Sequence, residues 1–318
     1  MFLESFRITG SAVLQIIILG AIGYFLVKKK ILGGDGLDAL SRLTIDVTLP
    51  ILIFCQLTRD FSFKLYPNWW VFPLVSIAIT ILGLLVGFLF SGFIRGQQSK
   101  LQFISLVGFQ NSGYLPLALF AALFSKGMLG PMLIYLFLFL LGFNFFNFSV
   151  GVYMLTFLKD KKFDWPSLFN PPVIATFLSI LLVFFKLNTF VPDFVLRPLD
   201  LVGQCTLPLA MLVVGGGIAQ IHLGQIDKKA MCLLVLAKLV VLPLLGILFL
   251  LNVKLPPLIS LLIFIQLAMP PAATLSVIIR HYKKDDLLIS QGLFFGHIFS
   301  ILTLPLFLGL YFMFNMLK

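Results

Sequence analysis

The side chains able to do chemistry are few, and they interrupt long apolar runs. Gln110-Asn111-Ser112-Gly113-Tyr114-Leu115-Pro116 lies inside the run from Leu101 to Phe124. Gln266-Leu267-Ala268-Met269-Pro270-Pro271 lies inside the run from Leu255 to Ile279. Asp46, Gln204, Lys238, His297, Asn144 and Asn147 sit in other apolar runs. They form no catalytic set: there is no aspartate pair, no Ser–His pair and no H-E-x-x-H motif, and Cys55, Cys205 and Cys232 lack metal-ligand spacing. The chemistry available to such residues is ligand binding. Proline removes a backbone donor and clashes with the carbonyl four residues back, and glycine weakens a helix. Each break leaves a second half-helix whose N-terminal end carries free donors and about half a positive charge. Two such ends meeting at one locus suit a carboxylate. No cofactor and no metal are expected.

Freed backbone groups in hydrocarbon cost several kcal/mol each unless protein or water satisfies them, so broken helices belong beside a cavity. The surrounding chain is hydrocarbon-soluble. Of its 318 residues 60% are hydrophobic and 11% charged, and mean hydropathy is +1.09. A net charge of +11 would suggest nucleic acid in a soluble protein. Here the basic residues occupy short loops, which favours the membrane and excludes a nucleic-acid partner. The runs predict ten helical spans, at about 9–27, 37–57, 69–94, 101–124, 130–157, 170–186, 198–220, 230–251, 255–279 and 286–315. The first is expected to be retained as an anchor, because Lys28-Lys29-Lys30 follows its apolar run. Lysines and arginines are richer in the odd-numbered loops, thirteen against eight, which puts those loops in the cytoplasm and both termini outside.

Thr48-Leu49-Pro50 in span two recurs as Thr206-Leu207-Pro208 in span seven. The interrupted spans four and nine stand in the same relation. Five spans per half is an odd number, so the second half enters from the opposite face, as an inverted repeat. The halves are 1–158 and 170–318, joined by a cytoplasmic connector at 159–169.

These residues resemble the auxin efflux carrier family. The segment 109–118 is similar to its fourth-span motif, and Asn170-Pro171-Pro172 to its Asn-Pro signature. Pro208-Leu209-Ala210-Met211, Lys238 with Pro243, and Ala268-Met269-Pro270-Pro271 also fit. The resemblance covers essentially the whole chain. It implies an all-α membrane protein of ten helices in two inverted five-helix repeats, akin to bile acid symporters and sodium/proton antiporters, with broken helices four and nine crossed. It also implies transport of an organic anion, auxin-like or a dicarboxylate such as malate or malonate, in a bacterial inner membrane. The long central loop of PIN-type carriers is absent, and Pro270-Pro271 replaces a single crossover proline.

On this reading the substrate site comprises Asn111, Ser112, Gly113, Tyr114, Pro116, Gln266, Pro270 and Pro271, with Pro50 and Pro208 leaving room beside it. Asp46, Gln204, Lys238 and His297 are the candidates for coupling to protons or sodium. Other roles stand beside these. Asp46 is either a proton acceptor or a partner of Arg42, Lys238 either a functional charge or a snorkelling chain. His297, Asn144 and Asn147 read first as interhelical hydrogen bonds. The expected function is secondary transport of a small organic anion. A channel, a sensor and an intramembrane enzyme are the alternatives. Partners are the anion and the bilayer, with a homodimer left open.

The charge bias is testable by single-cysteine labelling in intact cells. A cysteine beside Met1 is expected to react with an impermeant reagent, and Lys162→Cys to be protected; labelling of Lys162→Cys from outside overturns the orientation.

Overall fold

The computed structural model describes residues 2–156, 168–221, 223–281 and 287–316. The connector positions 159–167, Lys162 among them, lie outside the described residues. Sixteen α-helices are described: α1 (Phe2–Lys28), α2 (Gly34–Arg42), α3 (Leu49–Asp60), α4 (Val71–Ser91), α5 (Gln97–Gly108), α6 (Tyr114–Leu123), α7 (Lys126–Phe146), α8 (Val152–Thr156), α9 (Pro171–Phe184), α10 (Asp193–Gln204), α11 (Thr206–Gln220), α12 (Lys228–Leu234), α13 (Leu242–Asn252), α14 (Pro257–Ala268), α15 (Thr274–His281) and α16 (Leu287–Met316). Among the described residues the chain is otherwise turns, short π and 3-10 segments and one isolated β-bridge.

Seven continuous stretches are long and apolar enough to cross a bilayer: Phe6–Lys28, Gly34–Asp60, Val71–Ser91, Gly127–Leu155, Asp193–Gln220, Lys228–Asn252 and Leu287–Phe314. The sixth expected span is a shorter apolar helix, Pro171–Phe184. It starts where proline fits best. Asn170 caps it by accepting from the Val173 N–H at 3.1 Å, and the two prolines occupy positions whose N–H groups have no helical partner. The fourth and ninth expected spans are broken into α5–α6 and α14–α15.

Two prolines inside the long spans are accommodated by π turns. The Leu49 N–H bonds the Thr44 carbonyl and the Leu242 N–H bonds the Ala237 carbonyl, each five residues back, immediately before Pro50 and Pro243. Widening the ring moves the helix away from the clash a proline makes with an ordinary turn. Pro208 is handled differently: the helix breaks at Cys205, and the proline falls in the first turn of α11.

Helix contacts are close where glycines meet. α1 packs on α11 and α16, α3 on α9 and α10, and α4 on α5 and α7. The helix ends define two faces. On the basic face lie Lys28–Lys30, Arg95 and Lys228–Lys229, and the Gln291 amide of α16 donates to the carbonyls of Leu223 (2.6 Å) and Gln225 (2.8 Å). On the aromatic face Arg59 pairs with Asp200 at 3.1 Å and Asn188 donates to the Thr58 carbonyl at 3.2 Å. There Phe61, Phe63, Tyr66, Trp69, Phe72, Tyr135 and Phe184 form one connected ring cluster, with centroid separations from 4.6 Å for Phe72–Tyr135 to 6.1 Å for Phe63–Trp69.

A Cβ on Gly215 of α11 would run into the Gly20 carbonyl of α1, whereas one on Gly217 meets nothing within 4 Å. Gly215→Ala is therefore expected to force α1 from α11 and cost about 1–3 kcal/mol. Gly217→Ala is expected to be neutral or stabilising by up to roughly 1 kcal/mol. Thermal unfolding in detergent reads both; equal melting temperatures for the two variants contradict the packing.

Candidate functional site at the crossing of two broken helices

The two breaks pair with each other. The Asn111 N–H donates to the Pro270 carbonyl at 2.8 Å, and the Ala272 N–H to the Phe109 carbonyl at 2.9 Å. Gln110 and Pro271 stand opposite each other in an antiparallel bridge. In such a bridge the central pair makes no hydrogen bond of its own. Pro271, which has no N–H, therefore occupies the position that needs none. Pro270 supplies only its carbonyl. The ring of Pro271 packs on Gly296 of α16, where a side chain would collide with it.

The ends created by the breaks are each served. Gln266, fully buried on α14, donates to the Ser112 carbonyl at 3.2 Å. Asn111 accepts from the Leu115 N–H at 3.5 Å, at the start of α6. Its amide nitrogen lies 3.4 Å from Nε2 of His297, and Nδ1 of His297 lies 2.8 Å from the Leu293 carbonyl. A carbonyl only accepts, so Nδ1 carries the proton and Nε2 accepts from Asn111. Lys238 is buried on the π turn before Pro243 and donates to the Val107 carbonyl at 2.7 Å. That carbonyl belongs to the last turn of α5, where intrahelical donors run out.

The N-terminal ends of α6 and α15 border the same space. One cavity of about 110 Å³ is lined by Gln110 to Tyr114 and by Ala272 to Thr274, with Asn144 and Asn170 on its walls. A second, of about 120 Å³, also touches Tyr114, Ala273 and Thr274, and reaches Asp38, Gln220 and Ser290 at helix ends of the basic face. Among the described residues neither lining includes a lysine or arginine. Thr274 is fixed by the Asn147 amide at 3.2 Å, an interhelical bond. Both amide atoms of Gln110, the hydroxyl of Tyr114 and the amide nitrogen of Asn170 are buried without a hydrogen-bond partner.

The structure thus gathers Asn111, Ser112, Gly113, Tyr114, Gln266, Pro270, Pro271 and His297 at one place. Pro116 is buried in the first turn of α6 beside them. Gly113 has φ −103° and room for a Cβ, so it serves as a weak helix former at the N-cap and not as a sterically required residue. Pro50 is buried behind its π turn. Pro208 and Gln204 are exposed, and Gln204 bonds Asp200 at 3.1 Å. Asp46 is exposed on its π turn and is an electrostatic neighbour of Tyr114; among the described residues it forms no ion pair with Arg42. Gln110, Thr274 and Asn170 are cavity residues that spacing alone did not single out. The signal for Gln110 was its place beside Asn111 at the break.

The chain matches the model of a family described as membrane transport protein over residues 9–157 and 154–308. The chain belongs to this family, the auxin efflux carriers. It is 30% identical over 213 residues to an uncharacterized transporter of Methanocaldococcus jannaschii, covering 64% of this chain and 67% of that one. It is 29% identical over 124 residues to Protein PIN-LIKES 6 of Arabidopsis thaliana, covering 38% of this chain and 29% of the plant protein. An uncharacterized transporter of Schizosaccharomyces pombe is 29% identical over 111 residues, 35% of this chain and 25% of the yeast protein. The alignments span less than a third of the plant and yeast proteins. This auxin efflux carrier family member is a multi-pass membrane protein, its family is described as membrane transport proteins, and the archaeal and yeast relatives are named transporters.

Lys238→Met keeps most of the length of the side chain and leaves the Val107 carbonyl without its donor. The expected loss is about 1–3 kcal/mol, the cost of an unsatisfied buried group, with helical content retained. A melting temperature equal to wild type in the same detergent would show that Lys238 does not hold α5.

Proposed function

We propose that this protein is a secondary active transporter for a small organic anion whose carboxylate binds at the crossing, between the N-terminal ends of α6 and α15. The observation that carries this reading is that both ends line one cavity. Each end presents backbone donors and about half a positive charge, and the buried location keeps water from screening them. Asn111 adds a directional amide.

We also read the chain as ten spans in two inverted halves. Support comes from the crossing itself: its two backbone bonds are exchanged by a local two-fold that relates Phe109 to Pro270 and Asn111 to Ala272. Contacts follow the same exchange, since α1 packs on α11 while α9, its counterpart, packs on α3. In this reading the basic face is cytoplasmic. The cavity beside the crossing reaches that face, while the aromatic cluster closes the other, and parting Tyr66 and Phe72 from Tyr135 would be a step of alternating access. Rocking of one bundle on the other is the motion inverted repeats support. Asp46 and His297 remain the coupling candidates for a proton or sodium ion.

The test compares a carboxylate with its neutral amide, by binding to purified protein and by uptake into proteoliposomes. Wild type is expected to bind the acid and not the amide, and Asn111→Ala to weaken acid binding roughly tenfold or more, the value of one hydrogen bond to a charged group. Equal affinity for acid and amide in wild type ends the anion reading. Undiminished acid binding in Asn111→Ala removes that residue from the site. Gradient-driven, saturable uptake separates a carrier from a pore.

A further inference from the structure

The largest of the cavities lined by described residues is not at the crossing. It has a volume of about 320 Å³ and lies between α1, α11 and α16, closed at its inner end by Leu115 and His297. Its walls are apolar along most of their length, with Ile17 and Ala21 from α1, Met211 from α11 and Ile301 from α16. Tyr24, His297 and Ser300 bring the polar groups among its side chains, and two of them already have partners. His297 is engaged at both ring nitrogens, and the Ser300 hydroxyl donates to the His297 carbonyl at 2.7 Å. A water needs two to four polar partners, so the apolar length of this cavity does not hold water well. Left empty, the wall atoms forgo their dispersion contacts.

The cavity is continuous with the lipid-facing surface. Ile298, on its rim, is 41% exposed, and Leu302, one turn further along α16, is 71% exposed. On α1 the neighbouring Leu14 and Ile18 are likewise exposed. Toward the crossing it adjoins the cavity that reaches Tyr114, with which it shares His297, Val214 and Ile218. Its entrance is thus from hydrocarbon, and its inner wall is the histidine that bonds Asn111.

We propose that this cavity is a binding site for a single acyl chain of a bilayer phospholipid, which enters between α1 and α16 and ends against His297. The site does not depend on the anion reading, because it is built from other walls and opens on another phase. The occupied cavity seals the lateral path from the bilayer to the crossing. It also backs the His297 ring that holds the Asn111 amide in place.

The test uses the full chain in vesicles of phosphatidylglycerol and phosphatidylethanolamine doped with a phospholipid bearing a diazirine near the end of one acyl chain. After irradiation the labelled peptides are mapped. Saturable label is expected on 13–24, 211–218 and 294–304, displaced by excess unlabelled phospholipid. Ala21→Phe and Ile301→Phe, which fill the cavity, are each expected to lower that label at least fivefold. They should leave unchanged the label on the exposed α4 residues Leu85, Phe88 and Leu89. Ile301→Ala, which enlarges the cavity, is expected to keep the label and guards against misfolding of the larger variants. Label that is no denser or no more saturable here than on α4 overturns the proposal. So does label that survives both filling variants. Displacement by a short water-soluble carboxylate but not by phospholipid would assign the cavity to the substrate and overturn it as well.

Discussion

Two backbone hydrogen bonds hold the centre of this molecule. A helix broken in hydrocarbon exposes donors and acceptors that have no solvent to turn to, at several kcal/mol for each unmet group. Here each break answers the other, through Asn111 to Pro270 and Ala272 to Phe109. Neither broken span could keep its form alone. The pairing requires the two chains to run antiparallel at the point of contact, and that requirement fixes how α5–α6 and α14–α15 cross. It also explains the proline. In the bridge the position opposite Gln110 has no ladder bond to make, so Pro271 forfeits nothing there while preventing the span from closing into a continuous helix.

The surrounding side chains complete what the bridge leaves over. Lys238 takes the Val107 carbonyl at the end of α5, Gln266 the Ser112 carbonyl, and Asn111 the Leu115 N–H. Lys238 can reach inward because it sits on a π turn, and that turn exists because Pro243 follows it. The same device stands before Pro50, where the turn carries Asp46 and Ile45, and Ile45 lines both cavities. Prolines in this fold therefore act twice, breaking two helices at the crossing and widening two others around it.

Much of this was legible in the sequence, for physical reasons that differ by residue. Proline and glycine at the middle of an apolar run announce a break, and Asn170-Pro171-Pro172 announces a helix start; both are local rules. The long apolar helices were legible for the same reason. What could not be read was partnership across distance. Lys238 bonds a backbone carbonyl 131 residues away, and carbonyls carry no sequence signature. Which proline faces Gln110 depends on register at the crossing, and register is set by packing of whole helices. Pro50 and Pro208 marked spans two and seven as irregular, but nothing foretold that span two would widen into a π turn, that span eight would do the same before Pro243, or that span seven would break at Cys205 instead.

The crossing is symmetric in its backbone and asymmetric in its side chains. The local two-fold sets Asn111, Ser112 and Gly113 against Ala272, Ala273 and Thr274. Two helix ends thus contribute comparable positive potential, together about one unit of charge, while the directional amide comes from one side only. Under the proposed function, such a site neutralises a single carboxylate and orients it. A second carboxylate finds no lysine or arginine among the described residues of either cavity wall, and it meets Asp38 on the wall toward the basic face. A site held by partial charges and amides suits transport, because the ligand must leave as readily as it enters.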